Sequence, residues 1–187
     1  MHKRIAGAKR AAGLGLLAAM TVAAVALFAQ SPKYGVGRTP TADEIKAWDI
    51  TIRPDGAGLP EGKGSALEGR EVYARICAEC HGDKGQGSES VPLFGGIGSL
   101  TTGKPLKTVG SYWPYATTVF DYTRRAMPFD RPGTLTNDQV YAVVAFVLHL
   151  NGIVEENQVL DAQTLPQVKM PNRDGFIPDA RPDVAKK

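Results

Sequence analysis

Both cysteines of this 187-residue chain fall in one short run, Cys77-Ala78-Glu79-Cys80-His81. Two thiols three residues apart, followed at once by an imidazole, leave few chemical uses. A structural zinc site wants four ligands, and the chain has no second Cys/His pair to complete one. A thioredoxin-like dithiol belongs after a strand and before a helix, a context these neighbours lack. The remaining reading is the attachment motif of c-type haem. Each sulfur adds to one vinyl group, and the adjacent imidazole binds the iron from one side. Cys77, Cys80 and His81 are thus predicted to hold one covalent haem, with His81 as an iron ligand.

A chain built around such a turn needs helices to enclose a flat group. Ser65-Ala66-Leu67-Glu68 has the form of a capping box, with Ser65 as N-cap and Glu68 reaching back. The helix it opens runs toward Cys77, with Gly69, Val72, Tyr73 and Ile76 on one face. Glycine inside a helix costs about 1 kcal/mol against alanine. Gly69 therefore marks either a close helix crossing or a frayed first turn. A second box, Thr136 with Gln139, opens a helix that stops at Asn151-Gly152. Between Val140 and Leu150 only His149 is strongly polar, and the run is too short to span a bilayer. It reads as a buried core helix.

The iron's other side has three candidate ligands, Met127, Met170 and His149. Met127 stands beside Pro128 in a loop after one helix-like stretch. Met170 lies past the last core helix. His149 near a helix C-terminus also suits a dipole partner or a packed core group. A thioether ligand favours ferrous iron and raises the reduction potential.

The first 29 residues read as an export segment. Lys3, Arg4, Lys9 and Arg10 precede an apolar run, Ala11 to Ala29, and no acid comes before Asp43. Ala24-Val25-Ala26 offers a small-x-small cleavage site. The 19-residue run could also be kept as a membrane tether through 11–29, leaving the body on the periplasmic side. Removing the four basic residues leaves 18 of 22 against 19 acids, so the mature body is near neutral and nothing points to nucleic acid. Glycine and proline total 34 residues, a high share that points to long loops and arms around a modest helical core. The expected organisation is 1–29 signal peptide or anchor, 30–64 N-terminal arm, 65–152 haem domain and 153–187 C-terminal arm. The arms are too polar for a second core; they wrap the domain, dock on a partner, or stay disordered.

Two helices crossing beside a haem turn resemble the class I c-type cytochromes, an all-α fold, here with extended arms. The resemblance implies that Phe146 packs on Gly69, that Met127 is the second ligand, and that the Pro92 carbonyl accepts from the His81 ring. From Tyr34 to about Asp183 the wording is more specific. "AWDITIRPDGAGLPEGKGS", "KTVGSYWPYATTVFDYTRRAMPF" and "VKMPNRDGF" resemble the cytochrome subunit of periplasmic sulfite and sulfane dehydrogenases of the sulfur-oxidising system. The sulfane dehydrogenase subunit carries two haem domains, and this chain has one haem motif. Pro114 suits the first turn of a helix running to Arg125. Trp113 at its start and Arg124 and Arg125 at its end are candidates for the haem edge and propionates. A packed aromatic turn and a dipole-matched helix end explain them equally.

This reading implies an electron-transfer protein and no catalysis of its own. A molybdenum-containing dehydrogenase subunit would supply single electrons, and a downstream cytochrome or terminal oxidase would take them. A membrane-tethered shuttle without a dedicated dehydrogenase is the alternative. A haem enzyme or gas sensor with an open iron site is a third reading, which Met127 disfavours.

Overall fold

The computed structural model describes residues 34, 36–177 and 179. The export or anchor segment 1–29 lies outside the described residues. Among the described residues, no helix is long and apolar enough to cross a membrane.

Helix α1, Ala42–Trp48, has no buried residue. Thr41 Oγ1 accepts from the Glu44 N–H at 3.3 Å, and Glu44 Oε2 accepts from the Thr41 N–H at 2.8 Å. A three-residue strand β1, Lys63–Ser65, leads directly into α2, Ala66–Ile76. The expected capping box is formed there: Ser65 Oγ accepts from Glu68 N–H at 3.4 Å, and Glu68 Oε2 accepts from Ser65 N–H at 2.8 Å. A short α3, Ala78–His81, follows at once. A 3₁₀ turn at Ser99–Thr101 precedes α4, Val109–Tyr112, and α5, Ala116–Ala126. Helix α6, Asn137–Leu150, starts at the second expected box, with Thr136 and Gln139 bonded reciprocally at 3.2 and 2.9 Å. Strand β2, Val159–Asp161, and a 3₁₀ turn at Leu165–Gln167 complete the order.

Among the described residues the fold is thus helix-dominated, with one small two-stranded sheet. β1 and β2 are antiparallel, with Lys63 opposite Asp161, Gly64 opposite Leu160 and Ser65 opposite Val159.

Helix α6 is the centre of the core. All nine residues from Val140 to Leu148 are buried, because α2, α5 and both strands pack around it. Its closest neighbour is α2, and Gly69 sets the spacing. A Cβ added at Gly69 would stand 1.9 Å from the Ala142 carbonyl oxygen and 2.9 Å from Phe146 Cβ. Gly69 therefore marks a close crossing, and its poor helix propensity is offset by that approach. Phe146 packs beside it, its ring 5.0 Å from that of Tyr73. On the other side, Phe120 of α5 meets Tyr141 with ring centroids 4.4 Å apart. Each such ring, fully buried, contributes about 1.5–3 kcal/mol of transfer free energy.

Both polar stretches that flank the helical core send apolar groups into it. Ile52 comes from one, and Val154, Leu160, Leu165, Val168 and Met170 from the other. Backbone and side-chain bonds pin the first stretch to the start of α6: Tyr141 Oη to the Pro60 carbonyl at 2.9 Å, and Lys63 N–H to Asp138 Oδ1 at 2.8 Å. Leu67 N–H to the Glu156 carbonyl at 3.2 Å and the Arg70–Glu156 ion pair fasten the second.

Candidate haem site

The Cys77–His81 run is one helical turn. Cys77 closes α2, its N–H reaching the Tyr73 carbonyl at 2.8 Å, and its own carbonyl accepts from His81 N–H at 2.9 Å. Both thiols are free and half-buried. Burial pushes the Cys77 thiol up to about 11, with Cys80 adding to the shift. The turn ends at Gly82, whose φ of +79° suits glycine and sends the chain away from the helix. The Tyr73 hydroxyl donates to the Gly82 carbonyl at 2.8 Å, and burial holds that phenol protonated, its pKa raised to about 12. Helix α2 thereby grips both ends of the turn.

The following loop folds back over it. Gly87 N–H bonds the His81 carbonyl at 2.8 Å, and Ser90 N–H bonds the Cys80 carbonyl at 2.9 Å. This return places the Val91 carbonyl 3.3 Å from His81 Nδ1. The resemblance to class I cytochromes implies Pro92 for that role. The observed carbonyl comes one residue earlier, because the loop closes through Ser90 and presents the peptide before the proline ring. A carbonyl at Nδ1 fixes the tautomer with the proton there and leaves the Nε2 lone pair for a metal.

This donor set fits haem c. Two free thiols and an oriented imidazole lie on one turn, and the half-buried Ile76 and Leu93, just before and after it in the chain, pack against the hydrophobic core. Cys77, Cys80 and His81 would hold the group.

The other predicted residues are placed as follows. Met127 is half-buried and ends α5 in extended backbone, as expected of a residue before proline. Met170 is 3% exposed within the apolar core. His149 Nδ1 stands 3.1 Å from the Val154 carbonyl in the last turn of α6. Trp113 is half-buried, its ring edge-on to Tyr122 at 5.6 Å. Pro114 precedes the Tyr115 N-cap of α5, two residues before Ala116 and so outside the first turn expected for it. Arg125 is engaged by Asp121 at 2.7 Å, one turn back on α5. Arg124 forms no ion pair with any described residue and lies near Tyr141.

Three features escaped the sequence reading. Thr108 and Ser111 form a capping box on α4, invisible to a pattern that seeks Glu or Gln at its fourth place. The segment after Leu165 packs on the aromatic turn: Asn172 Nδ2 donates to the Tyr112 carbonyl at 2.7 Å, and the Arg173 guanidinium lies 4.4 Å over the Tyr115 ring. Asn151 reaches from the end of α6 to the Leu93 carbonyl at 3.1 Å.

Comparison with known proteins gives three likenesses. The family described as "Cytochrome C oxidase, cbb3-type, subunit III" matches residues 64–147. Thiosulfate dehydrogenase of Stutzerimonas stutzeri (strain A1501) is 28% identical over 93 residues, 47% of this chain. That match spans only 28% of the relative's length. A chain in the crystal structure of the sulfane dehydrogenase SoxCD from Paracoccus pantotrophus is 48% identical and superposes with a TM-score of 0.73. The likeness covers 81% of this chain and 75% of that one.

Proposed function

The chain belongs to the c-type cytochromes related to sulfur-compound dehydrogenases, and on that premise we propose that it is the electron-transfer subunit of a molybdenum-containing sulfite- or sulfane-type dehydrogenase. The observation that carries the electron-transfer reading is the Cys77–His81 turn with its imidazole oriented by Val91. The 48% identity to a chain of a sulfane dehydrogenase supports the choice of partner. One covalent haem, when bound, supplies a single-electron ferric/ferrous couple.

The residues act on that couple as follows. His81 would hold the iron through Nε2, and the Val91 carbonyl, accepting at Nδ1, would increase the imidazole's donor strength. Met127 would supply a soft, neutral thioether to the iron, a ligand that favours the reduced state. Trp113 and Arg124 would serve at the group's edge, Arg124 being the arginine of the pair with no carboxylate partner among the described residues. The body works in the periplasm after export through 1–29. It receives electrons there and passes them to a downstream cytochrome or terminal oxidase. Residues 65–152 are the haem domain, with 30–64 and 153–187 as arms.

The test is capture of the cytochrome from periplasm with metal analysis for molybdenum, then reduction of the captured complex by sulfite or thiosulfate. Reduction should need the molybdenum subunit, because no group in this chain is suited to oxygen-atom transfer. Fast reduction of the purified cytochrome alone by sulfite would refute the reading. A second reading, a tethered shuttle to an oxidase, draws on the match to the cbb3-type subunit III family over 64–147. Recovery of the full-length chain in membranes, with no molybdenum, would favour it.

A further inference from the structure

Asn151 closes α6 in an unusual way. Its amide nitrogen donates twice, to the Val147 carbonyl at 2.9 Å and to the Leu93 carbonyl at 3.1 Å. Its Oδ1 is buried with no hydrogen-bond partner among the described residues. Turning the amide over would set that oxygen against two carbonyls, so the orientation is fixed by its neighbours. A buried acceptor left unmatched is destabilising. The side chain is therefore retained for what its NH₂ group holds.

It holds Leu93, which is a junction. The Leu93 N–H closes the haem-motif loop onto the Gly85 carbonyl at 2.8 Å, and its carbonyl also accepts from Val109 N–H of α4 at 3.3 Å. Two residues upstream is the Val91 carbonyl, 3.3 Å from His81 Nδ1. Between them stands Pro92, whose ring fixes φ and removes one soft torsion. A pin on Leu93 thus becomes a pin on Val91. The pocket for the Asn151 amide exists because residue 110 is glycine: a Cβ there would lie 2.2 Å from Oδ1.

We propose that Asn151 is a positioning residue for the axial imidazole, setting the Val91 carbonyl on His81 Nδ1 through Leu93 and Pro92. The proposal rests on the haem reading above. Loosening the pin weakens the Nδ1–H bond, makes the imidazole a poorer donor, and so favours ferrous iron.

The test uses the full-length holoprotein and three variants. Asn151→Ala removes the amide. Asn151→Asp keeps its shape but loses the NH₂ donor. Gly110→Ala displaces the amide with Asn151 still present. Leu165→Ala is the control: a fully buried core residue whose backbone bonds do not enter the 85–93 loop. Covalent haem content is measured first, then exchange of the His81 Nδ1 proton in the ferrous state by NMR, and the midpoint potential. The Asn151 and Gly110 variants should exchange about fivefold faster, the factor equivalent to about 1 kcal/mol, the net worth of one hydrogen bond. Their potentials should rise. Leu165→Ala should lower the melting temperature and leave exchange and potential unchanged. Wild-type exchange and potential in the Asn151 variants would overturn the proposal, as would equal shifts in Leu165→Ala. If the Asn151 variants fail to mature, Gly110→Ala decides by the same two readouts. A wild-type chain without covalent haem overturns the functional reading as well, whereas haem with unresponsive variants overturns only this proposal.

Discussion

Gly69→Ala should destabilise the protein although alanine is the better helix former. The intrinsic change favours alanine by about 1 kcal/mol. Against it stands the new Cβ, 1.9 Å from the Ala142 carbonyl oxygen and 2.4 Å from its carbon, where ordinary contact begins at 3.4 Å. The two helices must part by about 1.5 Å, the difference of those distances. The obstacle is backbone, so no side-chain rotation relieves it. Overpacking costs about 1–3 kcal/mol, occasionally more. An obstacle of this kind belongs at or beyond the upper end, and the net loss should be about 2 kcal/mol. At about 2–4 °C per kcal/mol for a chain of this size, the melting temperature should fall by about 4–8 °C. Thermal and guanidinium unfolding of the holoprotein, followed by far-ultraviolet circular dichroism, measure it. Adding Ala142→Gly leaves the carbonyl in place and should lower stability further. An unchanged or higher melting temperature in Gly69→Ala would refute the reasoning, as would full recovery in the double variant.

Met127→Ala should abolish the near-infrared sulfur-to-iron charge-transfer band of the oxidised protein and lower its potential. Met170→Ala should instead keep the band and cost about 2–5 kcal/mol of stability, as deletion of a core side chain does. Glu68→Gln should flatten part of the acid limb of stability, read from urea midpoints between about pH 5 and pH 3. Bonds from the Ser65 backbone and hydroxyl hold the Glu68 carboxyl below its usual range. Its contribution is therefore present above the unfolded value and lost as pH falls through the folded one.

What was legible in the sequence was local. The boxes at Ser65 and Thr136 need only residues three apart to agree, and both helices start where the pattern put them. The Gly69–Phe146 contact is not local, and it was foreseen only through the resemblance to class I c-type cytochromes. The haem turn was readable because its chemistry lies within five residues. Long-range closure was not. Val91 rather than Pro92 faces His81 because of bonds made by Gly87 and Ser90, which no spacing rule weighs. Ile52, Leu160, Leu165 and Met170 enter the core from stretches with no apolar period, so each is recruited by the surface it meets. Asn151 read only as a helix stop, because its second partner is 58 residues away.

The β1–β2 pairing has a mechanical consequence. Because the strands run antiparallel, the chain before Lys63 and the chain after Asp161 leave from the same end of the ladder. Once the Pro60–Tyr141 bond is broken and the buried Leu165, Val168 and Met170 are pulled free, tension on both extensions opens Lys63–Asp161 first, then Gly64–Leu160, then Ser65–Val159, one pair at a time. Such a zipper yields at low force, since each pair bears the whole load alone. It also stops at Ser65, where the α2 cap and the Gly69 crossing take up the strain together. Peeling this clasp uncovers the start of α6, where Asp138 holds the Lys63 N–H, and leaves the Cys77–His81 turn at rest.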